Sequence, residues 1–406
     1  MRSKKKKPTT EASNTLETLT LGLRLEEVEV LKAAHPNSRL GILRSGVIAN
    51  ANNEVSTPPI QRDKYLTDSD KCPKYFPLSK GMLLGFGEDY NEHMDALGLA
   101  YALTGTQAYA TELGRHLTAW SLYSPLSGVG ELEGGEPSIY LRNFYCFFRG
   151  IEMAWEGLSS YHRGKVVVLA ITILDTLNDW WAHTDWRRNN HAAATNQTGV
   201  YAALTLLRAA KEGLYSIPAA QVRLSYMLTN NPGLTVETMI GGGTPLVGLL
   251  GFRDQVRGGV NTDANRSEYG ELSELALTLH DGSLDYYSKP QSTRMGYHGL
   301  LLHHTLTCWW AIERSSLNVG SQDQKAEQRY NIGKLLEFTR PYLQHGTYLP
   351  ESEEQPPSAD KDRKSREIIA MAEVLFPEKI WLSGLLDSEP PLSVGEAYYA
   401  TSLLAQ

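Results

Sequence analysis

The chain has 406 residues, 41% of them hydrophobic and 21% charged, with a formal net charge of −7. That suits a soluble globular protein with a sizeable core, built as two domains or one large repetitive one. It excludes a surface that attracts polyanions everywhere, so a nucleic-acid or polyuronate site needs a local arginine cluster. No apolar run reaches bilayer length, and Cys72, Cys146 and Cys308 are too few and too scattered for a metal set or a disulfide framework.

Residues 1–14, opening Arg2-Ser3-Lys4-Lys5-Lys6-Lys7, read as a disordered basic tail, because no apolar signal-peptide region follows. Residues 15–406 read as one domain. An amphipathic helix is expected over 16–34, closed by His35-Pro36. Residues 41–79, rich in Pro, Asn and Asp, are expected to be loop. Helices are then expected at 91–103 and 107–123. Leu141, Phe144, Phe148, Ile151 and Trp155 step by three and four, which is one buried helical stripe. Arg142, Tyr145 and Arg149 lie on another face of that helix. They either grip substrate carboxylates, which guanidinium groups match in shape, or form a solvated face paired with Glu131, Glu133 or Glu152.

A strongly apolar helix follows at 165–181. Trp180, Trp181 and Trp186 cluster at and after its end, and one of the three is expected to reach a cleft and stack on sugar. Further helices are expected at 213–228, 268–279, 296–314, 326–342, 365–375 and 394–404, and 350–362 as a polar proline-rich loop. The glycines at 241–243 lack a phosphate-loop lysine, so no nucleotide site is read there. About a dozen helices in sequential pairs, with no βαβ alternation, predict an all-α protein of the α/α toroid type, an incomplete barrel of helix hairpins.

Two stretches concentrate polar chemistry. The first is Arg187-Arg188-Asn189-Asn190-His191, directly ahead of apolar residues Val200, Ala203, Leu204 and Leu207 at helical spacing. Asn190 suits an N-cap, with His191 in the first turn, where the helix dipole favours anions and neutral imidazole. The second is Asp281-Gly282-Ser283-Leu284, then Arg294-Met295-Gly296-Tyr297-His298. Tyr297 falls in helical register with Leu301, His304 and Cys308. His298, His303 and His304 form no metal set by spacing, and none is expected.

The Asn-His pair opening a helix, followed by the DGSL…R…YH segment, resembles the alginate lyases, α/α toroid enzymes that cleave polyuronates by β-elimination. Leu103 to Trp120 is similar to a helix-hairpin signature of the same toroids. The resemblance implies that Asn190, His191 and Arg294 neutralise the substrate carboxylate. Tyr297 would serve as base and acid, with no cofactor. Arg142, Tyr145, Arg149, Trp181, Arg266 and His298 are the residues expected to bind substrate. A rival tyrosine segment lies at Arg266-Ser267-Glu268-Tyr269. The expected partner is an acidic polysaccharide of alginate or glucuronan type, and neither nucleic acid nor membrane. The expected state is a monomer, exported to the periplasm or beyond if it follows the family. A glycoside hydrolase on a similar toroid would need two opposed carboxylates, for which Glu92, Asp263, Glu268 and Asp281 are available. A non-catalytic carbohydrate-binding helical protein is the third possibility.

Overall fold

The computed structural model describes residues 21–55, 91–123, 144–183, 190–229, 291–315, 322–345, 363–386 and 394–404. Among these residues the protein is all-α. Its helices are α1 (Leu25–Ala33), α2 (Arg39–Val55), α3 (Asn91–Thr104), α4 (Gln107–Tyr123), α5 (Phe144–Met153) and α6 (Ser160–His183). They continue with α7 (Asn190–Lys211), α8 (Ile217–Thr229), α9 (Gln291–Arg314), α10 (Gln322–His345), α11 (Arg363–Leu375) and α12 (Val394–Leu404).

Two expectations fail near the start of the chain. Residues 21–24 are not helical, and α1 begins only at Leu25. The loop expected from residue 41 is instead α2 as far as Val55. The Ser38 hydroxyl accepts the Gly41 amide at 3.2 Å and caps α2. Leu40, Leu43, Val47 and Ala51 then form its buried stripe. The helix expected from 213 starts at Ile217, because Gly213 takes a left-handed φ of 78° that closes α7. The helix expected from 296 starts earlier, at Gln291. Both expectations at 268–279 and 350–362 lie outside the described residues.

Several neighbouring helices run parallel. Tyr145 of α5 packs edge-on against Tyr201 of α7 at 5.6 Å, and further along Glu152 faces Arg208 at 3.8 Å. Gln197 and Tyr201 of α7 meet His304 and Thr307 of α9 in the same order. His303 and Thr307 of α9 meet Glu367 and Met371 of α11, again in order and both 64 residues apart. Trp310 and Arg314 of α9 likewise meet Tyr399 and Ser402 of α12. In chain order, α6, α8 and α10 lie within the connections between these parallel helices. Packing passes from α2 to α3, α5, α7, α9, α11 and α12, and from α12 back to α2, so it forms a closed circuit.

At the crossing of α3 and α5 the backbones touch through Gly98 and Gly150. A Cβ on either glycine would collide with the backbone of the other helix. Within the circuit the core is not wholly apolar. Arg149 donates through Nε to both carboxylate oxygens of Asp95, at 3.2 and 3.1 Å, and through Nη1 to the Tyr399 hydroxyl at 2.8 Å. Its guanidinium also lies 4.1 Å from the Tyr398 ring centre. Arg366 of α11 grips Glu396 of α12 with two bonds of 3.0 Å, and Arg39 of α2 joins the same carboxylate.

Candidate active site

Because α5, α7, α9 and α11 run parallel, their N-termini gather at one end of the structure. Parallel helix dipoles present positive ends together, and unpaired first-turn amides face the same way. Both motif stretches open at that end. Asn190 is the first residue of α7, already inside the helix and not in the cap before it. Arg294 is also helical, one turn before Tyr297, which therefore sits in the second turn of α9 and not at its start.

The bond between Gln197 and His304 fixes how the two motifs relate. The Gln197 amide oxygen lies 2.6 Å from His304 Nδ1, across 107 residues. The same offset sets Asn190 level with Tyr297, and His191 level with His298. Asn190 precedes Gln197 by seven residues, and Tyr297 precedes His304 by seven. Seven residues are two turns to within about 20°, and advance about 10 Å along the axis. Positions 190 and 297 therefore stand level with each other, two turns along from the hydrogen bond.

The substrate-binding expectations fare differently. Arg149 is not in a solvated or substrate-facing row. It is 1% exposed and committed to Asp95 and Tyr399. Burial opposes its charge, yet Asp95, Tyr399 and Cys146 together hold its pKa well above the ordinary value. Tyr145 is buried as well, edge-on to Tyr201 and to His303, and burial holds its hydroxyl in the neutral form. Both expectations fail for one reason. The face that carries Tyr145 and Arg149 is packed against other helices, at Asp95, Tyr201 and Tyr399, and not turned to solvent. Trp181 belongs to the last turn of α6, ahead of the segment that leads into Asn190. His298 lies in α9, one residue after Tyr297. Arg142 and Arg266 lie outside the described residues, as do the rival Tyr269 and the hydrolase candidates Asp263, Glu268 and Asp281.

Beneath the seam the structure adds polar residues that sequence reading missed. His303 Nε2 lies 2.9 Å from Glu367 of α11, and the His303 and His304 rings meet edge to face at 5.7 Å. Spacing along α9 offers these histidines no carboxylate, and their partners come from other helices. A signal was present nonetheless. Gln197 is in register with Val200, Leu204 and Leu207, and Glu367 with Met371 and Val374, so each is a polar residue on an apolar stripe. Among the described residues no group of three or more His, Cys, Asp or Glu side chains is arranged to hold a metal. Cys146 and Cys308 are free and buried, and burial pushes both thiols up, away from the reactive thiolate. No helix among the described residues is long and apolar enough to cross a membrane.

No family model matches the chain, and no curated protein matches it. The likeness to alginate lyases therefore rests on the short motifs.

Proposed function

We propose that this protein is an α/α toroid lyase that cleaves a uronic-acid polymer, of alginate or glucuronan type, by β-elimination. The observation that supports the reading is the register of α7 against α9, where Gln197 meets His304 and, seven residues back along each helix, position 190 comes level with position 297. The gathered helix N-termini add a second support, since an anionic ligand is favoured at such an end. The closed circuit of helix packing, in which α5, α7, α9 and α11 run parallel with further helices in their connections, also suits a toroid.

Elimination needs the carboxylate neutralised, so that the neighbouring C–H becomes acidic. Asn190, His191 and Arg294 are the donors assigned to that task, because preorganised donors act where charge develops. Tyr297 takes the C–H proton and returns one to the leaving glycosidic oxygen, which splits the chain and leaves a double bond in the new non-reducing end. His298 and Trp181 fall at the same end and are assigned to grip the sugar.

The test is an absorbance assay on a panel of alginate, glucuronan and related polyuronates. The expected product carries an unsaturated, ultraviolet-absorbing end. New reducing ends with no such signal indicate a hydrolase, and binding without turnover indicates a carbohydrate-binding protein. Tyr297→Phe keeps the ring and deletes the hydroxyl. It should lower turnover by more than the roughly 10²- to 10⁴-fold typical of a single acid–base group. Tyr269→Phe is the matched control. If it abolishes turnover while Tyr297→Phe retains it, the catalytic tyrosine belongs to the Arg266–Tyr269 segment.

A further inference from the structure

Directly beneath the Asn190–Tyr297 seam, the core is built from side chains that the proposed chemistry does not use. Gln197 is fully buried on α7 and meets His304 of α9, whose neighbour His303 meets Glu367 of α11. This layer carries a cost. The Gln197 side-chain nitrogen and His303 Nδ1 are buried with no hydrogen-bond partner, and an unpaired buried polar atom destabilises a fold. A leucine at 197 would fill similar space and remove the unpaired nitrogen, so what the amide supplies in return is its bond to His304.

Two directional bonds cross the seam of α7 and α9, Gln197 to His304 and the Tyr201 hydroxyl to the Thr307 carbonyl at 3.3 Å. A directional bond has a narrow optimum in distance and angle, and a single buried amide can fix a register. We infer that Gln197 is a positioning residue. Its bond to His304, the one of the two nearer the helix N-termini, holds the axial register of α7 against α9 there and so keeps positions 190 and 297 level with each other. The inference rests on reading that seam as a lyase site. There, a displacement of about 1 Å can cost about 10²-fold in rate.

The experiment uses the full chain, with Gln197→Leu to remove the bond and Gln197→Glu to keep an acceptor for His304. Backbone hydrogen exchange in residues 190–196 and 291–298 should be about tenfold faster in Gln197→Leu than in wild type, and close to wild type in Gln197→Glu. On a polyuronate that the wild type cleaves, Gln197→Leu should lower kcat by about 10- to 100-fold and leave KM within about twofold, and Gln197→Glu should recover most of that loss. Unchanged exchange in either segment overturns the inference. So does an equal rise in every helix including α4, which marks general destabilisation, and so does an unchanged kcat. If the wild type cleaves no polyuronate, the lyase reading has failed, and the exchange pattern alone decides whether Gln197 sets the register.

Discussion

Arg149 shows how a residue type that suits a substrate can serve the core instead. In the sequence it stands four residues from Tyr145 and seven from Arg142, a spacing equally compatible with a row of carboxylate grips and with an inward face. What decides is Asp95, which lies on another helix and has no fixed distance from Arg149 in the sequence. The ion pair is almost wholly desolvated, so removing one partner strands the other. Arg149→Met is expected to cost about 3–5 kcal/mol in denaturant unfolding. The double variant with Asp95→Asn should lose less than the two single changes added together. A raised KM at unchanged stability would instead return Arg149 to the substrate groove.

At the scale of elements, the glycine crossing is the most exposed to test. Gly150→Ala puts a methyl group against the backbone carbonyl of Met94 and the Cα of Asp95. Backbone cannot rotate away as a side chain can, so α3 and α5 must separate. We expect a loss of about 1–3 kcal/mol, the usual cost of overpacking, read as a lower melting temperature. Helices with a strong apolar period were legible in the chain. Phe144, Phe148, Ile151 and Trp155 announce α5, and Val200 to Leu207 announce α7. α2 was not, because Asn50, Asn52 and Asn53 dilute its stripe and give it the composition of a loop. The two motif helices could each be found from sequence. Their relative register could not, because it depends on a hydrogen bond between residues 107 apart.

At the scale of the whole molecule, Glu152 makes stability depend on pH. Glu152, at the end of α5, is 9% exposed and accepts the backbone amides of Leu21 and Gly22, the latter at 3.0 Å. Burial raises its pKa from an ordinary 4.5 to about 7, against the pull of Arg208, the two amides and Arg314. Between those values the folded protein holds a proton that the unfolded chain has released. Stability from this group is therefore full below pH 4.5 and is lost as pH rises towards 7, by about 3 kcal/mol at most. Glu152→Gln keeps an acceptor for both amides and removes the titration. The wild-type stability minus that of Glu152→Gln should fall from pH 4.5 to 7, and a flat difference would show that Glu152 is ionised throughout.

The closed circuit also governs the order in which the protein can be finished. α2 and α3 leave the ribosome with their partners on α12 not yet made. Until that last helix arrives, Arg39 and Arg366 lack Glu396, and Arg149 lacks the Tyr399 hydroxyl. A nascent chain therefore carries half-paired charges and an open seam throughout the synthesis of the stretch from α2 to α12. Pairings so distant in sequence form slowly, and an unclosed core is prone to aggregate. Folding yield should be most sensitive to what happens after the last helix is released, when the two ends of the circuit must find each other before a neighbouring chain does.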